Sequence, residues 1–137
     1  MDGKPRPINI EHAKNVIQWD RTAIWTEQNL VNRIEKIAEG NGWIEERTGL
    51  HEKEFIETRR HWFTKKVEHD TNGTVNVMCL VGGDEVIVES PEELFEPFIV
   101  HYTEVFIVPA CTGRYTIRPY GKGKDGTCIT IKAYARG

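Results

Sequence analysis

The sequence predicts an all-β jelly roll, a sandwich or barrel of short strands preceded by a short helix and an extended arm. From Phe55 onward the side chains alternate with the period of two expected of strands. Turn signals at Asp70–Gly73, Gly82–Asp84 and Tyr120–Gly126 cut that half into short runs. The stretch from Phe98 to Arg118 reads strand, turn, strand, with Pro109 and Gly113 as punctuation.

At the N-terminus, Pro5 and Pro7 hold the first residues extended, because the residue before a proline is pushed out of the helical region. Asn9 is placed to cap a helix with Ile10, Ala13, Val16 and Ile17 on one face, ended by Trp19–Arg21. Residues 22–54 are ambiguous. Leu30, Ile34 and Ile37 fit a helix, and Val31–Ile34 fits an edge strand equally well. Gly40–Gly42 is a turn and Trp43–Arg47 a strand. The whole segment is polar enough to wrap the sandwich as an arm. We therefore expect residues 1–22 to be linker and short helix, and 23–137 to form the jelly-roll domain.

In the run from Phe55 to Val67, the odd positions Glu57, Arg59, His61 and Phe63 point one way and Ile56, Thr58, Arg60 and Trp62 the other. A single strand of that length calls for a bend or bulge. Thr74–Val81 is the next strand, Gly82–Asp84 a hairpin turn and Glu85–Glu89 its return. Ser90–Pro97 is a surface loop with room for one helical turn after Pro91. Phe98–Tyr102, Val105–Val108 and Tyr115–Arg118 are strands. After the glycine-rich Tyr120–Gly126, Cys128–Tyr134 closes the domain, with Ile129 and Ile131 alternating with Cys128, Thr130, Lys132 and Tyr134.

The chain has 137 residues, with 18 Lys and Arg against 21 Asp and Glu, a formal net charge of −3. That length suits one domain, and the charge argues against a nucleic-acid grip, which needs a basic face. No run approaches the roughly 20 apolar residues of a membrane span. The first residues lack the apolar core of a signal peptide. The expectation is a cytoplasmic protein with neither nucleic acid nor membrane as partner. The three cysteines, Cys79, Cys111 and Cys128, are too widely spaced for a zinc knuckle. They read as small buried hydrophobes in a reducing compartment. Asn72-Gly73-Thr74 matches a glycosylation sequon but reads better as an Asn-Gly turn.

The runs at Val81–Val88 and Val108–Gly113 resemble those of a cupin barrel, so the jelly roll is expected to be cupin-like. A metal-binding cupin projects three histidines and a carboxylate from adjacent strands into one barrel mouth. With Gly82 as the last glycine of the first cupin motif, the glutamate slot holds Val75. The histidine pair then falls on His69 and Thr71, or on Glu68 and Asp70. With Pro109 as the proline of the second motif, the glycine slots hold Thr103 and Cys111, and the polar slots hold Arg114 and Arg118. A guanidinium repels a cation, so no metal is expected in this barrel.

The five histidines, His12, His51, His61, His69 and His101, form no metal-ligand spacing. They read as ordinary surface or hydrogen-bonded residues, His51 in a loop. Arg59, Arg60 and His61 are placed to meet a phosphate or carboxylate at the barrel mouth, against the plainer reading of a solvated strand face. Cys111 has no base assigned beside it and is not expected to be a nucleophile. Gly121–Gly126 precedes a strand rather than a helix, which rules out a phosphate loop.

Gly3-Lys-Pro-Arg-Pro-Ile-Asn-Ile-Glu-His-Ala13 resembles the Gly-x-x-Arg-Glu-Leu-His-x-Glu-x-Ala segment of class I (type I) mannose-6-phosphate isomerases of the bacterial branch. Pro7 and Asn9 stand where many members have Glu and His. Val105–Ala110, Gly113–Ile117 and Ile131–Tyr134 are similar to the same family's final cupin turn and closing strand. The resemblance implies the C-terminal cupin-like domain of a zinc-dependent enzyme that interconverts mannose 6-phosphate and fructose 6-phosphate. In that family the zinc ligands, a Gln-x-His motif, a Glu and a further His, belong to an upstream cupin domain. None of those motifs occurs here, so the resemblance assigns this chain no catalytic residue and no zinc.

Three readings follow. The first is a structural, non-catalytic domain whose partner is the catalytic cupin domain of a parent isomerase, with homodimerisation as a further expectation. The second is a stand-alone, metal-free barrel binding a sugar or sugar phosphate through Arg59, Arg60, His61, Arg114 and Arg118. The third is a cupin enzyme with unusual metal ligands.

Overall fold

A computed structural model describes residue 3 and residues 5–31, 34–48 and 53–136. The chain divides into two compact units, residues 1–32 and 33–137, against the sequence expectation of a break after residue 22. His51 lies outside the described residues.

The first unit holds two short helices, α1 (Ile10–Val16) and α2 (Ala23–Asn29). Asn9 precedes α1 as expected, but its side chain makes no capping bond. The better-built start is at α2, where Thr22 accepts a hydrogen bond from the Trp25 backbone N–H at 3.3 Å. The helix suggested by Leu30, Ile34 and Ile37 does not form: α2 stops at Asn29, and Ile37 lies on a strand. No helix among the described residues is long and apolar enough to cross a membrane.

The second unit is the jelly roll. Its strands are β1 (Glu35–Gly40), β2 (Trp43–Arg47), β3 (Ile56–Phe63), β4 (Val67–Asp70), β5 (Asn76–Gly82), β6 (Glu85–Glu89), β7 (Phe98–His101), β8 (Val105–Val108), β9 (Arg114–Pro119) and β10 (Cys128–Ala135). One sheet has the order β1-β2-β3-β10-β5-β8 and the other β4-β9-β6-β7. Residues 35–47 are therefore two hydrogen-bonded strands of the larger sheet rather than an outer arm. Their hairpin turns at Asn41-Gly42, with Gly42 in the left-handed region at φ 84°.

The bend expected within Phe55–Val67 falls after Phe63, where the chain crosses from one sheet to the other. Most of the later turns do the same. Asn72 (φ 50°) and Gly73 (φ 75°) make the left-handed turn read from the sequence, and it carries β4 over to β5 in the other sheet. The expected hairpin at Gly82–Asp84 is not one, because β5 and β6 belong to different sheets and Gly82 pairs with Ile129. Phe98 to Arg118 likewise spans three strands that switch sheets twice. After Pro109, a 3-10 turn at Ala110–Thr112 leaves Cys111 exposed rather than buried. Loop 90–97 holds no helical turn; the Leu94 N–H instead donates to the Ser90 hydroxyl at 3.0 Å. The glycine-rich segment contains a 3-10 turn, Gly121–Gly123, in which a side chain on Gly121 (φ 54°) would run into the Glu85 carboxylate.

The space between the sheets has two ends. One is apolar and holds Phe63, Val67, Leu80, Val86, Val88, Ile117 and Cys128, with Trp43 packed on it. Strand register then carries the inner face from apolar to polar. Along β3 and β10, Phe63 faces Cys128, His61 faces Thr130, Arg59 faces Lys132 and Glu57 faces Tyr134. Two residues along a strand return to the same face, so each step is one layer deeper into a polar end. Ile129 and Ile131, the bulkier aliphatics of β10, take its outer face, while Cys128, Thr130 and Lys132 are buried.

Candidate functional site

The polar end of the barrel encloses a pocket of about 340 Å³ lined from β2 (Glu45), β3 (Arg59, His61), β4 (His69), β5 (Asn76) and β10 (Lys132, Tyr134). Each of these side chains is inward by the parity of its strand, while Glu68 and Asp70 border the pocket from the exposed side of β4. Glu45 pairs with His61 in the β2–β3 register, and the carboxylate Oε1 lies 3.4 Å from His61 Nε2. His61 and His69 are 2% and 6% exposed. Their rings meet edge to face at 4.6 Å, and His69 stacks on Tyr115 at 5.1 Å. Asn76 Nδ2 donates to the Tyr115 hydroxyl at 2.9 Å, which in turn donates to Met78 Sδ. Lys132 lies beside the face of Tyr134, 5.3 Å from the ring centre.

The electrostatics follow from burial of several donors together. Contact with His61 holds the Glu45 carboxyl below its ordinary value, so it is ionised at neutral pH, with Lys132 and Arg59 acting in the same direction. Burial pushes His61 down against the pull of Glu45. Burial pushes His69 well down, and a proton on His61 or the charge of Lys132 acts in the same direction. Lys132 is lowered chiefly by burial and then by Arg59, with Glu45 opposing. Among the described residues, His61 Nδ1, His69 Nε2 and the Thr130 hydroxyl are buried without a protein hydrogen-bond partner.

Folding therefore keeps both imidazoles neutral, while the unfolded chain protonates its histidines below about pH 6.5. The sign is that of a depressed folded-state value: the stabilisation is present above that pH and is lost on acidification. The expected loss is about 1.4 kcal/mol per pH unit for each histidine that stays neutral in the fold. Urea midpoints measured from pH 7.5 to 5.5 should fall accordingly, and a His61→Gln/His69→Gln variant should flatten the slope.

Of the five residues proposed from sequence as sugar or sugar-phosphate contacts, Arg59 and His61 reach this pocket, as do His69, Thr71, Glu68 and Asp70, the residues in the first cupin motif's histidine slots. His61 is buried inside it and Arg59 half-buried at its side, rather than on a solvated face. Arg60 is on the other side of β3, where it donates to Glu46 at 2.8 Å and stacks on Trp62. Arg114 is exposed at the start of β9 and donates to Glu92. Arg118 points outward from β9 and makes a two-pronged pair with Glu89, at 2.8 and 2.9 Å. The second reading's five residues thus do not converge, because Arg60, Arg114 and Arg118 all have the outward parity of their strands. Glu45, His69, Asn76, Lys132 and Tyr134 were not selected as contacts. The signal for His69 and Lys132 was present, since they share parity with Val67 and with Cys128 and Thr130. Nothing in the sequence showed that those faces turn inward at one level.

The pocket does not suit zinc. His61 Nε2 is taken up by Glu45 at 3.4 Å, and the other carboxylates of the lining, Glu68 and Asp70, lie on the exposed side of β4. Lys132 and Arg59 set positive charge beside them. Among the described residues, no group of three His, Cys, Asp or Glu is arranged to hold a metal ion. What the arrangement offers is a set of donors, one inward carboxylate and a tyrosine, the equipment for holding a small polar molecule.

No family model matches the chain, and no curated protein matches it in sequence. Its fold is nevertheless found in solved structures. The mannose 6-phosphate isomerase of Bacillus subtilis matches at a TM-score of 0.64 and 15% identity, covering 96% of this chain and 35% of that one. The ectoine synthase of P. lautus matches at 0.56 and 9% identity, over 80% of this chain and 73% of that one. A cupin superfamily protein of Desulfitobacterium hafniense matches at 0.52 and 14% identity, over 74% and 84%. Likeness at these identities is a likeness of fold, and the chain has the cupin fold.

Proposed function

We propose that this chain is a non-catalytic cupin domain of carbohydrate metabolism, of the kind that makes up part of a mannose-6-phosphate isomerase, and that it works in the cytoplasm beside a catalytic cupin domain. The observation that carries this reading is the extent of the likeness. It runs over 96% of the chain for the isomerase, against 80% and 74% for the two other cupins, while taking up 35% of the isomerase. The resemblance of residues 3–13 to that family's linking segment points the same way. A structural role also accounts for the outer face of the larger sheet, where Val77, Val81, Val105 and Ile107 are exposed on neighbouring strands. The catalytic domain is the partner this reading sets on that face.

The test is a coupled assay of mannose 6-phosphate conversion with the purified chain and added zinc. No turnover is expected from the chain alone. Zinc-dependent turnover would overturn the proposal. Sedimentation of the isolated chain tests the partner: a stable dimer would give the apolar face to a second copy instead.

The pocket favours a second reading, a stand-alone cupin that binds a sugar or sugar phosphate without transforming it. A purely structural domain has no use for a buried lysine and two imidazoles with unpaired atoms at one end of its barrel. The other end shows that the same scaffold accepts apolar filling.

A further inference from the structure

The polar end of the barrel is costly, and the cost has a recognisable form. Lys132 is 8% exposed. Arg59, whose side chain is 12% exposed, faces it across the β3–β10 ladder, so two cations sit opposite one another away from bulk water. Like charges facing each other across strands are destabilising. Arg59 is held from one side by Glu57, with Nε 3.1 Å from Oε1, while its Nη1 reaches Glu45 at 4.0 Å. Glu45 also meets His61, so one carboxylate answers several donors. The remaining acidic residues of the lining, Glu68 and Asp70, lie on the exposed side of β4, from where Asp70 pulls Lys132 upward less than burial pushes it down. Deeper in, His61 Nδ1 and His69 Nε2 have no protein partner among the described residues. Buried polar atoms in folded proteins are nearly always paired with protein, water or ligand.

We infer that the pocket is a binding site for a small hydroxylated acid, with Lys132 and Arg59 as its anion subsite and the Glu45–His61 pair and Asn76 facing the hydroxyls. This rests on the second reading above and names the site and ligand class within it. The division of roles follows from donor chemistry. An ammonium and a guanidinium carry only donors, so the group between them is an acceptor with negative charge, a carboxylate or a phosphate. An ionised carboxylate accepts only, so Glu45 takes O–H groups. Neutral His61, with its Nε2 hydrogen turned to Glu45, offers Nδ1 as an acceptor. Asn76 Nδ2 already donates to Tyr115, which leaves its carbonyl oxygen as an acceptor of a hydroxyl hydrogen. A molecule with an acid at one end and several hydroxyls along its length matches both halves. A volume of about 340 Å³ admits one of monosaccharide size. The arginines on the outer faces take no part, since Arg60, Arg114 and Arg118 are each held by a glutamate there.

Calorimetric titration of the whole chain at pH 7 with gluconate, mannose 6-phosphate and neutral mannose tests this. At least one of the two acids is expected to bind saturably at one per chain, and which of them does so identifies the group as carboxylate or phosphate. Neutral mannose should bind at least tenfold more weakly. Lys132→Met removes the charge while keeping the bulk, and a buried lysine made apolar is not expected to unfold the domain. It should weaken acid binding at least tenfold, while Lys65→Met, on the exposed turn between β3 and β4, leaves it unchanged. Nitrogen-15 spectra of the wild-type imidazoles should show His61 shifting as the acid is added. Acid binding that Lys132→Met leaves intact, or mannose binding as tightly as either acid, would overturn the anion subsite while preserving the broader sugar-binding reading. Absence of binding by all three probes would overturn both.

Discussion

Replacing Glu57 with alanine is expected to cost the domain about 3–5 kcal/mol of folding stability, the range for removing one member of a buried charged cluster. Glu57 is 3% exposed on β3 and has cations around it from three places in the chain. Arg136, after β10, donates to its Oε2 at 2.8 Å through Nε and pairs with it through Nη2 at the same distance. Arg59 Nε and Arg47 Nε lie 3.1 and 3.3 Å from Oε1. Those two contacts have the distance of an ion pair without the N–H alignment of a hydrogen bond, and Oε1 has no aligned donor. The carboxylate therefore works mainly as a charge, tying β2, β3 and the C-terminal residues together. Its loss leaves the half-buried Arg59 against Lys132 with one fewer counter-charge. Urea denaturation of Glu57→Ala measures the cost. Adding Arg59→Met should recover part of it, since the stranded cation is then removed as well. A loss below about 1 kcal/mol would place Glu57 among the surface pairs that contribute little.

The second large effect is expected at the other end of the barrel. Phe63→Ala should lower stability by about 3–5 kcal/mol, the usual cost of truncating a fully buried phenylalanine. Phe63 is 1% exposed and is the last residue of β3 before the chain crosses to the other sheet. It faces Cys128 on β10 and Trp43 on β2. Its ring thus fills the apolar end where strands from both sheets meet. The urea midpoint should fall with the slope of the transition unchanged. Phe63→Leu, which keeps much of the volume, should cost less than half as much. Equal losses for the two variants would mean that shape rather than volume governs the site.

Much of this fold was legible in order along the chain, and the misreadings share one cause. Strand positions from β3 to β10 follow from period-two alternation and from glycine, proline and Asn-Gly turns, which are local signals. A turn signal says that the chain reverses. It does not say whether the next strand pairs with the last or crosses to the opposite sheet. Gly82–Asp84 therefore read as a hairpin, although β5 and β6 lie in different sheets. The N-terminal half was less legible because its strands are short and polar. Glu45 and Arg47 gain their reason to face inward only from Arg59, His61 and Glu57 on the strand alongside.

The same limit governs the site. The sequence by itself determined that the chain is a jelly roll resembling a cupin, that Arg59 and His61 share a face, and that Arg60 does not. Only the tertiary structure decided which face is the inside. Alternation defines two faces and gives them equal standing. On β10 alternation puts Ile129 and Ile131 on one face and Cys128, Thr130 and Lys132 on the other, and it is the second that the sheet turns inward. Register, set by hydrogen bonding between strands far apart in sequence, then brings Glu45, His61, Thr130 and Leu80 to one level and Arg59, Lys132 and Met78 to the next. Burial is a property of both sheets together, so it is the assembled barrel that makes a lysine and two histidines into a pocket.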